Sequence, residues 1–135
     1  MGTTKKYKSR AKINLGLKVL NKRKDGYHNI DSLFVELNLH DIISFSSSEK
    51  FSLSTNFPDL PTDDSNLVTK AYNLLCPQRA LSSSEYSIHI EKIIPMGSGL
   101  GGGSSNAATT LKVLNQLWNC GFEDKELSKL GASLG

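Results

Sequence analysis

The stretch that leaves this chain the fewest folding options is Pro95-Met96-Gly97-Ser98-Gly99-Leu100-Gly101-Gly102-Gly103-Ser104-Ser105-Asn106-Ala107-Ala108. Five of the eleven glycines in the whole sequence fall between Gly97 and Gly103. They follow an alternating, strand-like run (Tyr86, Ile88, Ile90) and precede a helix-like one (Ala107, Leu111, Leu114, Leu117, Trp118). A strand-to-helix connection without side chains lets backbone N–H groups approach an oxyanion closely. The first turn of the helix adds unpaired donors and roughly half a positive charge. Residues 95–105 therefore read as an anion site, with phosphate the expected guest.

Other uses of such a loop fit less of the sequence. Gly97-x-Gly99-x-x-Gly102 matches the dinucleotide fingerprint literally, but that fingerprint needs a second strand ending in an acidic residue further on. Here the corresponding region, Gly121 to Lys125, reads as the start of another helix. A P-loop ends in Gly-Lys-Ser/Thr, and this loop ends Gly-Ser-Ser with no lysine. A plain linker would not need Ala107 and Ala108 packed into a helix start.

A chain of 135 residues suits one domain with a real core, and a 38% hydrophobic content is low but globular. No stretch reaches the roughly twenty apolar residues of a membrane helix, so the chain reads as soluble. The two cysteines, Cys76 and Cys120, lie far apart and form no Cys-x-x-Cys. Neither a disulfide framework nor a zinc site is indicated, and both read as buried thiols of a reducing cytoplasm. Nine of the 16 basic residues precede the first acidic one, Asp25, within a net charge of +3. Only Tyr7 interleaves with them, so they read as a lysine-guarded strand edge, or as service to a polyphosphate, rather than as a nucleic-acid surface.

Residues 1–8 read as a tail or leader and 9–135 as one domain. Ala11, Ile13, Leu15, Leu17 and Val19 alternate with Lys8, Arg10, Lys12, Asn14, Gly16 and Lys18, which predicts a strand with Lys12 and Asn14 on its polar face. Asp25-Gly26 predicts a hairpin turn. Strands follow over 33–39, 42–46 and 50–55, with Asp41 at the start of one. A helix is expected over 66–75, with Asp64 or Ser65 as N-cap and Pro77 ending it. A strand over 85–94 enters the glycine loop, and a helix over 103–118 leaves it. A last helix begins near Glu123. The order β-β-β-β-α-β-α-α predicts an α+β fold with helices on a mostly antiparallel sheet.

Taken together, three stretches resemble the GHMP small-molecule kinases. The glycine stretch is similar to that family's second motif. Ala11-Lys12-Ile13-Asn14-Leu15 is similar to its opening motif, departing by Arg10 where proline is common, and Asp25-Gly26-Tyr27-His28 resembles its Asp-Gly-Tyr-His segment. The resemblance implies a domain of the ribosomal protein S5 domain 2-like kind. It also implies ATP, with Mg2+, as phosphate donor, and a cytidine-diphosphate alcohol of non-mevalonate isoprenoid-precursor synthesis as acceptor. A mevalonate- or homoserine-type kinase, or a nucleotide-binding fragment without catalysis, are the alternatives.

By the same resemblance Lys12 is the catalytic lysine, an ammonium steadying charge on the transferring phosphoryl group. Pro95, Met96, Gly97, Ser98, Gly99, Leu100, Gly101, Gly102, Gly103, Ser104 and Ser105 bind the nucleotide, the serine hydroxyls reaching phosphate oxygens or magnesium. Asn66 stands near the adenine, and Asn14, Tyr27 and His28 bind the second substrate, with rings suited to stacking on a pyrimidine and hydrogen-bonding its edge. No metal-ligand cluster is expected, and His40 and His89 read as ordinary surface histidines. The family's general-base aspartate is expected just past Gly135, so the chain reads as roughly the first half of a kinase. A face left bare by that truncation is expected to self-associate.

Overall fold

The computed structural model describes residues 4–22, 28–80 and 82–134, with side chains described outside 14–22 and 28–34. The elements run β1 (Lys5–Lys22), β2 (His28–Ser48), β3 (Ser52–Thr55), α1 (Leu67–Leu75), a 3-10 turn (Cys76–Gln78), β4 (Glu85–Glu91), α2 (Gly102–Leu117) and α3 (Asp124–Ala132). The sheet order is β1-β2-β4-β3. β2 pairs antiparallel with both β1 and β4, and the short edge strand β3 pairs parallel with β4. The α+β reading holds, with changes: residues 5–8, expected to belong to a tail, are the first part of β1 and pair with β2. The strands expected over 33–39 and 42–46 are one continuous strand, and the segment expected to extend an antiparallel sheet at 50–55 is the parallel edge.

Alternation explains which face is buried. Ile43 and Phe45 of β2 and Ile88 and Ile90 of β4 point to one side, where Val68, Ala71, Tyr72 and Leu75 of α1 and Ala107, Leu111 and Leu114 of α2 cover them. Trp118, just past α2, lies edge-on to Tyr72 with ring centroids 5.0 Å apart, and its indole N–H donates to the Ser84 carbonyl at 2.8 Å. The helices and one face of the sheet thus form two layers, and the glycine loop sits where β4 hands the chain to α2.

The helix ends are set locally. Asn66, not Asp64 or Ser65, caps α1: its side-chain oxygen accepts from the Val68 N–H at 2.8 Å, while its amide nitrogen donates to the Pro61 carbonyl at 2.7 Å. Asp63 instead accepts from the N–H of Ser65, shaping the turn before it. At α3, Glu123 and Glu126 form a reciprocal capping box. Asn119 (φ 50°) and Gly121 (φ 81°) turn the chain between α2 and α3, and Asn115 clamps that turn by exchanging hydrogen bonds with the Phe122 backbone.

Candidate functional site

Pairing of β1 with β2 is irregular beside Lys12, jumping from Arg10↔His40 to Lys12↔Glu36. The backbone N–H of Lys12 donates to the Leu100 carbonyl at 2.8 Å. This single bond ties the strand that carries the lysine to the crown of the glycine loop. The loop is braced internally as well, since the Ser98 hydroxyl donates to the Pro95 carbonyl at 2.7 Å.

α2 begins with an unsatisfied end. Its N-cap, Gly101, has left-handed backbone (φ 69°, ψ 24°), no side chain caps it, and no acidic residue stands in the first turn. The first carbonyl-bonded amide is that of Ser105, which donates to Gly101 at 2.9 Å. The N–H groups of Gly102, Gly103 and Ser104 have no carbonyl within the helix to bond, and the helix dipole adds positive potential there. Gly102 is glycine for a different reason. A Cβ there would sit 2.8 Å from Lys92 Nζ and 3.2 Å from Ile94 Cγ2.

Lys12, Gly99, Gly101, Ser104 and Ser105 line one cavity of about 600 Å³, floored by Leu67, Ala107 and Leu111 and closed on the far side by α3. That volume falls within the range of small-molecule sites. Lys112 and Asp124 also line it. Lys12, Ser105, Ala108 and Lys112 continue into a neighbouring groove of about 340 Å³ with Lys8, Arg10 and Glu36. On the other side of the loop, Pro95 to Gly103 border a cavity of about 210 Å³ with Leu60 and Lys92. Lys12, the glycine loop and the start of α2 therefore converge, as the sequence leads one to expect.

Two of the expected site residues are already engaged within the protein. Ser105 is buried, and its hydroxyl oxygen accepts from Ser9 at 3.0 Å, whereas Ser104 is exposed and aimed at solvent and cavity. Both serines line the cavity, and the Ser105 hydroxyl keeps its own hydrogen to donate. Asn66 spends both ends of its amide on the cap and on Pro61, so it shapes the approach to the site while its neighbour Leu67 lines the cavity. Tyr27 lies outside the described residues, as do the side chains of Asn14 and His28; the His28 backbone opens β2, opposite Lys22. His40 and His89 bond neighbours, Asn38 and Ser54.

Sequence reasoning missed Asp41. It does not start a strand but lies inside β2, fully buried. One carboxylate oxygen accepts from the backbone N–H groups of Ile93 (2.7 Å) and Ile94 (2.8 Å). The other accepts from Lys92 Nζ (2.7 Å) and Asn106 Nδ2 (3.0 Å). The signal was in the phase: Asp41 shares its face with Ile43 and Phe45, where a carboxylate must find partners. Burial alone would push its pKa up, but the hydrogen bonds from Lys92, Ile93, Ile94 and Asn106 outweigh that and hold it below the usual carboxylate value.

A carboxylate with a lowered native pKa binds fewer protons folded than unfolded. Its stabilisation is complete above the unfolded value of about 3.9 and is lost as pH falls through that value toward the native one. Urea unfolding midpoints are expected to drop between about pH 5 and pH 3, and to drop less in Asp41→Asn. Equal slopes in the two proteins would show that Asp41 does not govern acid sensitivity.

The sequence pattern of the GHMP kinases N terminal domain matches residues 66–135. The 4-diphosphocytidyl-2-C-methyl-D-erythritol kinase of Chlorobium phaeobacteroides is 48% identical over 128 residues, which cover 95% of this chain and 43% of that protein. A solved 4-(cytidine 5'-diphospho)-2C-methyl-D-erythritol kinase superposes with a TM-score of 0.74 at 33% identity, over 97% of this chain and 46% of that one. A homoserine kinase from Cytophaga hutchinsonii shares the fold, with a TM-score of 0.68 at 24% identity. The chain spans less than half the length of each of these proteins.

Proposed function

This chain belongs to the GHMP kinases, as their N-terminal domain, and on that premise we propose that it is the amino-terminal part of an ATP-dependent kinase that phosphorylates a hydroxyl of 4-diphosphocytidyl-2-C-methyl-D-erythritol. The observation that carries the reading is the Lys12 to Leu100 backbone bond, which sets the lysine and the phosphate-type loop on the same cavity. The loop and the open end of α2 suit the phosphates of ATP. The ammonium of Lys12 suits the charge that spreads over the transferring group, and positioning with electrostatics is most of what such a transfer needs. The exposed hydroxyl of Ser104 is an oxygen donor of the kind Mg2+ takes beside phosphate oxygens, and the ion when bound would offset phosphate charge.

The choice of acceptor rests on the named relatives and on Asp25-Gly26-Tyr27-His28, with Asn14, Tyr27 and His28 as its proposed contacts. Cytoplasmic location is proposed too, suited by two unpaired thiols, Cys76 and Cys120; among the described residues no helix is long and apolar enough to cross a membrane.

Phosphorylation assays on the full-length protein with the cytidine-diphosphate alcohol, mevalonate and homoserine test the reading. Turnover with the first and not the others is expected, and preference for mevalonate or homoserine would replace the assignment. The hydroxyl's proton acceptor is proposed to lie beyond residue 135, so residues 1–135 alone should bind ATP without transferring phosphate. Transfer by them alone would point to Glu36 or Asp124, carboxylates that line the cavities with Lys12.

A further inference from the structure

The eleven residues from Pro95 to Ser105 are flanked by two short segments that end on the same carboxylate. On the entering side, Lys92 gives its ammonium and Ile93 and Ile94 their backbone N–H groups to Asp41. On the leaving side, Asn106 gives one amide hydrogen to Asp41 at 3.0 Å and the other to the Ser9 hydroxyl at 2.8 Å. Ser9 in turn donates to Ser105. Ser9 lies on β1, three positions before Lys12. One buried polar chain thus joins both ends of the loop to the strand bearing the lysine.

Each member is shielded from water. Asp41 has no exposed side-chain surface and that of Lys92 is 5% exposed. Asn106 and Ser9 are buried as well. The four donors fill the carboxylate's acceptor sites, so the group is fully committed. Lys92 Nζ lies directly beneath Gly102, where even a methyl group would collide with it. Its charge stands under the positive end of α2, a placement that is tolerable only with Asp41 beside it.

We propose that Asp41 is a positioning residue for the phosphate site: its carboxylate fastens the segment entering the glycine loop to the helix turn leaving it, and so keeps the loop in anion-binding shape before nucleotide arrives. The inference rests on the nucleotide reading above. A segment with five glycines has more conformational freedom to lose than any other of its length. Held at both ends, it loses that freedom in folding; released, it loses it in binding, and affinity falls.

The test uses the full-length protein in two variants, Asp41→Asn and Asn106→Ala. The first sets amide hydrogens against Lys92 and Asn106. The second removes the far tether while leaving the Lys92 ion pair and the bonds to Ile93 and Ile94 in place. Calorimetric titration with ADP and the KM for the acceptor alcohol are measured together with thermal stability. Expected are an ADP Kd raised at least about tenfold in each variant, an acceptor KM within about twofold of wild type, and a double variant no weaker than the weaker single, as for one clamp.

An unchanged ADP affinity in folded Asn106→Ala would overturn the proposal. So would a parallel loss of ADP and acceptor affinity in step with stability, the mark of a merely structural pair. If Asp41→Asn does not fold, Asn106→Ala decides alone. Wild-type protein that fails to bind ADP would remove the nucleotide reading and this inference together, whereas equal binding by all three proteins would remove only the clamp.

Discussion

Lys12→Ala in the full-length protein is expected to lower turnover by about a hundredfold to a thousandfold while ADP still binds with an affinity within about threefold of wild type. The two effects separate because Lys12 touches the site in two ways. Its backbone N–H holds the Leu100 carbonyl at 2.8 Å, and alanine keeps that bond. Its side chain faces the cavity shared with Gly99, Gly101 and Ser104, and only that is lost. Charge on a transferring phosphoryl group peaks in the transition state, so a missing ammonium costs rate more than ground-state affinity. Unchanged turnover would take the lysine out of the mechanism. Turnover and ADP affinity lost together would make its role that of a loop anchor.

Gly101→Val is expected to weaken ADP binding more than tenfold. At φ 69° an ordinary side chain is strained by about 1–2 kcal/mol, and a β-branched one resists this conformation most. Nothing lies within 4 Å of where a Cβ would stand, so the effect comes from the backbone and not from a collision. Asn tolerates left-handed backbone best among residues with side chains. Gly101→Asn should therefore retain most of the affinity, and the ordering Gly, Asn, Val in ADP titrations is the diagnostic. Equal affinities for all three would mean that the left-handed cap is not needed to present the N–H groups of Gly102 to Ser104.

Much of this site was open to a reader of the sequence. The glycine run between alternating and helical periods located the loop, and the polar phase of β1 put Lys12 on an accessible face. Less legible were the places where a local rule met two solutions. Asp64, Ser65 and Asn66 are all good caps, and the choice among them fell to the Pro61 carbonyl, which holds Asn66 from outside the helix. Ser104 and Ser105 look alike in sequence, yet a helix turns about 100° between neighbours, so Ser104 is exposed while Ser105, though it borders the same cavity, is buried against Ser9. The break expected near Asp41 is absent because its carboxylate is satisfied inside the core, which lets β2 run unbroken from His28 to Ser48.

Period and composition alone located most of the strands and helices and the side-chain-free loop that meets a helix start, because each of these depends on residues within a few positions of one another. Partnership across the fold was decided by tertiary structure. Asp41 takes bonds from Ile94 and Asn106, 53 and 65 residues away, and Ser9 meets Ser105 across 96. A hydrogen bond needs two groups within about 3 Å, and only the packing of β1, β2 and α2 against one another brings these side chains that close.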